Sequence, residues 1–194
     1  MASTRTRGRA SSPSVAIELL ESDHRKVEAL FDRYERSKEG DEDAKLAIAR
    51  RICGELKAHA QLEEELFYPW LRENMDEEDM ELLEEAYVEH ASAKDLIAQI
   101  EAAGEADGTF DAKVKVLGEY VKHHVKEEEN EIFKAVRGMQ EELDELGQEM
   151  HARKAELMEE HGLLQDDGGE LAADALAGER ARSRPQAQGA RRSR

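Results

Sequence analysis

Residues 49–70 read Ala-Arg-Arg-Ile-Cys-Gly-Glu-Leu-Lys-Ala-His-Ala-Gln-Leu-Glu-Glu-Glu-Leu-Phe-Tyr-Pro-Trp. Taken in steps of three and four, Ala49, Ile52, Leu56, His59, Glu63, Leu66 and Trp70 fall on one face of a helix. That stripe is apolar except at His59 and Glu63, which stand one turn apart and so point the same way. An imidazole and a carboxylate on the core-facing side of an otherwise greasy helix demand a reason, because an uncompensated buried carboxylate costs several kcal/mol.

The pattern returns near the end of the chain, where Val114, Leu117, Val121, His124, Glu128, Ile132 and Ala135 make a second stripe of the same kind. Two further helical stripes each carry one histidine: Ile17, Leu20, His24, Val27, Phe31 and Tyr34, and Leu83, Ala86, His90, Ala93, Ile97 and Ile100. Ser14 is a candidate N-cap for the first helix, which stops near Ser37. The second runs from about Asp43 to Pro69-Trp70, where proline should end or kink it. The third opens on Asp76-Glu77-Glu78-Asp79, with acids against the helix dipole, and closes near Gly104. The fourth spans about Phe110–Arg137, and a shorter fifth covers roughly 140–161 before Gly162.

Four long helices joined by short turns predict an all-α fold, an antiparallel up-down-up-down four-helix bundle with a short fifth C-terminal helix. Measured at about 1.5 Å per residue, each histidine lies about 20–24 Å from the helix end on one common side of the bundle. All four therefore fall near one level. His24, His59, Glu63, His90, His124 and Glu128 are the candidate metal ligands. Two divalent cations would bring +4 against the −2 of the two carboxylates, a balance that an added oxo or hydroxo bridge would improve. Mixed nitrogen and oxygen donors suit iron, manganese or zinc over calcium or magnesium. The competing reading is a purely structural bundle with hydrogen-bonded core histidines.

The set of motifs resembles the hemerythrin-like, or HHE cation-binding, family, whose pattern is His, then His-x-x-x-Glu, then His, then His-x-x-x-Glu. Here it reads Asp23-His24-Arg25, His59-Ala-Gln-Leu-Glu63 with Glu64-Glu65-Leu66-Phe67, Glu89-His90, and His124-Val-Lys-Glu-Glu128 with Glu129-Asn130-Glu131-Ile132-Phe133. The resemblance covers about residues 15–162. It implies a non-haem di-iron centre with an oxo or hydroxo bridge, His24 and His59 on one iron, His90 and His124 on the other, and Glu63 and Glu128 bridging. The implied function is binding of small oxidants (dioxygen, peroxide or nitric oxide), with decomposition of peroxide or nitric oxide as its enzymatic form. The alternative is iron or oxygen sensing, storage, or iron-centre repair through a protein partner.

Oxygen-carrying hemerythrins have a further histidine one turn after the one on the third helix, where this chain has Lys94. Their last carboxylate lies five residues after its histidine, where this chain has Glu129 beside Glu128. The site is thus one imidazole poorer, with water, His123, Tyr34, Tyr68 or Tyr87 as candidates to complete it. His123, His151 and His161 read as surface or outer residues, and the Glu127–Glu131 run as a solvated face apart from Glu128. Glu64 is a candidate hydrogen-bond partner of a ligand histidine.

The rest of the chain sets limits. Of 194 residues 39% are hydrophobic and 38% charged, and the net charge is −18. Arg-rich stretches at residues 1–14 and 178–194 leave −26 on residues 15–177. An acidic body repels nucleic acid and membrane phosphate, so neither is an expected ligand of the folded part. Residues 1–14 and 163–194 are expected to be disordered tails around a single 15–162 domain. The one cysteine, Cys53, excludes an internal disulfide and a thiolate metal cluster. Without an apolar run long enough for a membrane span or a secretory signal, the expected location is cytoplasmic.

Overall fold

The computed structural model describes residues 14–37, 42–106 and 108–164, and all regular structure among them is helical. Helix α1 (Val15–Arg36) starts on Ser14, whose hydroxyl accepts from the Ile17 amide, as the sequence suggested. It is followed by α2 (Glu42–Leu62), α3 (Tyr68–Asn74), α4 (Met80–Glu101), α5 (Gly108–Glu127), α6 (Phe133–Val136) and α7 (Gln140–Glu160). Around the bundle α1 packs on α2, α2 on α4, α4 on α5, and α5 back on α1, each pair antiparallel. No helix among the described residues is long and apolar enough to cross a membrane.

The second and fourth rods of the bundle each contain one widened turn. Between α2 and α3, residues Glu63–Phe67 form a π-turn, in which the Tyr68 amide donates to the Glu63 carbonyl five residues back. Between α5 and α6, Glu128–Ile132 do the same, with the Phe133 amide donating to the Glu128 carbonyl. Each π-turn begins at the glutamate of a His-x-x-x-Glu pair. One extra residue per turn rotates everything beyond it by one position. In place of the expected Leu66 and Trp70, the structure buries Phe67, Tyr68 and Leu71; in place of Ala135, it buries Phe133 and Val136 beside Ile132. Pro69 neither ends the rod nor stops its helical path, which continues to Asn74. Proline has no amide hydrogen to give, and here it falls where the bonding returns from i→i+5 to i→i+4.

The fifth helix is not short. At 21 residues α7 matches the bundle helices in length, and it lies along α1 and α2. A Cβ on Gly147 would stand 2.5 Å from the Ala16 amide nitrogen and 2.7 Å from the Val15 side chain, so only glycine allows this approach. Gly162, at φ +69°, closes α7: its amide donates to the Glu159 carbonyl and that of Leu163 to the Met158 carbonyl. Leu163, expected to begin the disordered tail, is instead buried against Gly54, and its carbonyl accepts from Arg51. The remaining calls of disorder, on residues 1–13 and 165–194, lie outside the described residues.

Two apolar clusters fill the interior. One gathers Leu20, Leu62, Phe67, Leu71, Leu83, Phe133 and Val136 with the inner face of α7. The other gathers Val27, Leu30, Ile52, Ile97, Phe110 and Leu117 at the opposite end. Cys53 is fully buried in the latter, and burial pushes its thiol up to about 12. The layer between the two clusters is polar.

Candidate metal centre

That layer contains all six residues singled out from the sequence, one or two from each rod. Glu63 and Glu128 are 0% exposed, and the four histidines are buried around them. The imidazoles pair off across the bundle, His24 with His59 at 4.9 Å between ring centres and His90 with His124 at 4.8 Å. Every histidine turns Nε2 inward. His24 Nε2 is 3.1 Å from Glu128 Oε2, and His59 Nε2 is 3.2 Å from Glu63 Oε2. His90 Nε2 is 3.4 Å from the same Glu63 oxygen and 3.2 Å from His124 Nε2.

Despite these separations, all four oxygens of Glu63 and Glu128 lack a hydrogen-bond donor, as do the Nε2 atoms of His24 and His59. They stand close together without bonding to one another. The donors resolve into two groups, His24, His59, Glu63 and Glu128 in one and Glu63, His90 and His124 in the other, with Glu63 shared. Orphaned buried carboxylates and ring nitrogens in mixed N/O sets are the chemistry that divalent transition-metal ions satisfy. The residues present fit two such ions.

Charge in this layer is strained without a cation. Burial raises Glu63 well above the usual carboxylate range, with the neighbouring Glu128 adding to it. Glu128 is buried to the same degree, but the His24 imidazole beside it, with His124 and His59, holds it below that range. For His24, burial is outweighed by Glu128 and Glu63, which carry it up to about 9. His59 is pulled down to about 4 by burial.

An outer ring of acids takes the other side of each imidazole. Asp23 on α1 faces His59 Nδ1 on α2 at 3.6 Å, the longest of the four contacts. Glu64, beyond α2, meets His90 Nδ1 on α4 at 3.0 Å, and Glu89 on α4 meets His124 Nδ1 on α5 at 2.8 Å. Glu129, beyond α5, meets His24 Nδ1 on α1 at 2.9 Å and closes the circuit. Each rod therefore hands one acid to the histidine of the next, which selects the Nε2-inward orientation. Glu64 takes the outer role expected of it. Glu129 corrects the reading of its run as solvated face, and Asp23 and Glu89 were passed over. Their common signal is adjacency, since each acid is the immediate sequence neighbour of a ligand on its own rod.

Basic side chains back three of these acids. Lys154 of α7 pairs with Asp23, Lys94 with Glu64, and Arg25 with Glu129. Lys94 thus occupies the position of the missing imidazole as a support for His90 through Glu64, whose carboxyl the His90 bond and Lys94 hold at about 2. Of the candidates to complete the site, only Tyr68 is at the centre: its hydroxyl is 3.3 Å from His90 Nε2, and its ring stacks on His90 at 5.3 Å. Tyr34 donates instead to Asp111, and Tyr87 packs edge-on against the Tyr68 ring. His123 is 57% exposed, His151 is exposed, and His161 is half-buried beside Gln61, all outside the central cluster. Phe133, five residues after Glu128 as Tyr68 is after Glu63, stacks over His24 at 6.1 Å. One half of the centre has a phenol where the other has a phenyl.

A cavity of about 270 Å³ adjoins the centre, reaching from Glu85, Val88, Tyr120 and His123 at the surface to the four histidines.

A family model described as Hemerythrin HHE cation binding domain matches residues 15–136. The chain belongs to this family. Its fold is similar to the crystal structure of a hemerythrin HHE cation binding domain-containing protein from Mycobacterium kansasii, with a TM-score of 0.64 and 20% identity over 84% of this chain and 97% of that one. In sequence it is 31% identical over 147 residues to a protein of Nostoc sp. (strain PCC 7120 / SAG 25.82 / UTEX 2576) named DNA nickase. That match covers 75% of this chain, which spans 40% of the relative's length. All six residues of the buried donor set lie within the stretch that this family model matches.

Proposed function

We propose that this HHE domain holds two iron ions and uses them to bind dioxygen, peroxide or nitric oxide, with peroxide or nitric oxide decomposed in the process. The observation that carries the reading is the pair of fully buried carboxylates, Glu63 and Glu128, with no hydrogen-bond donor on any of their four oxygens. His24, His59, Glu63 and Glu128 would hold one ion, and His90 and His124 with Glu63 the other. When bound, the iron pair supplies Lewis acidity and electrons for the reaction with a small oxidant.

The protein's own part follows from its residues. Nδ1 contacts to Glu64, Glu89 and Glu129 orient His90, His124 and His24, and Asp23 stands 3.6 Å from Nδ1 of His59. Apolar clusters above and below exclude bulk water. The half with fewer donors also has the Tyr68 hydroxyl. Burial, reinforced by Glu63 and Glu128, keeps that phenol un-ionised, so it is available to donate a hydrogen bond to a small molecule beside His90.

Metal analysis tests the proposal first: protein as expressed should contain about two irons per chain, with near-ultraviolet charge-transfer absorption when oxidised. A colourless, metal-free and fully stable bundle would sink it. Stopped-flow mixing with peroxide and with nitric oxide then separates catalyst from carrier. Reversible oxygenation with no turnover of either would remove the enzymatic half. The Nostoc relative's name suggests DNA cleavage as another activity, but the acidic body of this chain would repel a phosphate backbone.

A further inference from the structure

Among the described residues, three of the four outer acids are backed by a permanent cation, and the fourth is not. Asp23 has Lys154, Glu64 has Lys94 and Glu129 has Arg25, whereas the outward partner of Glu89 among the described residues is a histidine. His123 Nε2 lies 3.6 Å from Glu89 Oε1 and 3.3 Å from Glu127 Oε1, and one donor atom from each of the three side chains falls within a single 4.8 Å span. We propose that Glu89, His123 and Glu127 capture a divalent transition-metal cation at the mouth of the cavity and feed it to the inner centre. The inference rests on the reading of that centre as a metal site and adds its route of loading.

The position suits the task. His123 is 57% exposed and Glu127 29%, so solvent reaches them, while Glu63 and Glu128 are closed to it. Glu89 faces both ways, Oε1 toward His123 and Oε2 accepting from His124 Nδ1 at 2.8 Å. The cavity begins at Glu85, Glu89 and His123 and ends on the buried His24 and His59, whose Nε2 atoms have no hydrogen-bond partner. One nitrogen and two carboxylates select the same class of ion as the interior does. Three donors at a partly open site hold it loosely enough to pass it on. An acidic mouth on an acidic body also concentrates cations from solution.

The test uses the full chain under anaerobic conditions, with His123→Ala and Glu127→Gln as variants. Metal-free protein is mixed with limiting Co(II), and uptake into the centre is followed by its visible absorption. Both variants should reach the wild-type final stoichiometry, but about ten-fold or more slowly. Separately, protein already loaded at the centre is titrated with Mn(II) and followed by electron paramagnetic resonance. Wild type should bind one additional, weaker ion that both variants lose. A wild-type loading rate in the variants, or an unchanged ion count, overturns the proposal. Glu63→Ala distinguishes this failure from failure of the inner site: the outer Mn(II) ion must persist there even though central uptake is gone.

Discussion

At the scale of single residues, function depends on which nitrogen of each imidazole faces inward. Glu63 and His124 belong to the donor groups that converge in the centre, so Glu63→Ala or His124→Ala should abolish metal uptake. His161→Ala, beside Gln61 outside the cluster, should leave uptake unchanged; equal losses in equilibrium dialysis would refute the assignment. The outer acids act one bond further away. Glu129→Gln should weaken metal affinity by about 10–100-fold, read by competition with a chromophoric chelator, because a neutral amide supports the His24 tautomer less strongly. Protonation competes for the same ring. With His24 carried up to about 9, its proton must leave before a cation binds, so affinity should climb as pH rises toward 9. Stability of the metal-free protein runs the other way. A histidine raised in the folded state stabilises fully below its ordinary 6.5 and loses that contribution as pH rises through about 9. Up to about 3 kcal/mol should disappear over this window in urea titrations of stripped protein. A flat profile would show that Glu128 and Glu63 do not stabilise the charged His24 ring.

At the scale of elements, the two π-turns are the feature that periodic reading could not reach. A stripe counted in threes and fours assumes a constant helix, and it runs correctly through His59 and Glu63 before slipping by one residue. The slip places Tyr68 at the centre and Phe133 over His24. Deleting Glu65 would restore an ordinary helix while keeping Phe67, Tyr68 and Leu71 near the core face. The protein should stay helical by circular dichroism but bind metal at least about ten-fold more weakly, since widened turns of this kind position functional side chains. Retention of full affinity would show that the extra residue is incidental. The contact between α7 and α1 makes a separate prediction. Gly147→Ala forces a methyl group to within 2.5 Å of a backbone nitrogen, which should destabilise the fold by about 1–3 kcal/mol in urea unfolding.

At the scale of the whole molecule, the bundle is a frame around a buried polar layer that one cavity joins to the surface. Its two apolar clusters stabilise the fold on either side of a stratum of carboxylates and imidazoles that oppose burial without a cation. Metal and fold are therefore linked. Free metal at a hundred times the dissociation constant should stabilise the protein by about 2.7 kcal/mol, visible as a fall in thermal midpoint on stripping with chelator. Helix α7 belongs to this linkage, since Lys154 reaches from it to Asp23 and so to His59. An element outside the four rods thereby touches the centre through two side chains.

Much of this was legible in the chain before folding was considered. Helical spacing of apolar residues, interrupted at one depth by four histidines and two glutamates, suffices to specify a bundle and the inner donors, because the 3.6-residue repeat maps sequence directly onto a face. Tertiary structure alone decided which acid serves which imidazole. Asp23, Glu64, Glu89 and Glu129 each act on a different rod from their own, and no count along one helix reports a contact across two. It likewise placed Tyr68, and neither Tyr34 nor Tyr87, beside His90, because a π-turn shifts the register after Glu63. The meaning of Lys94 changed in the same way, from an absent ligand to the cation that supports Glu64 against His90.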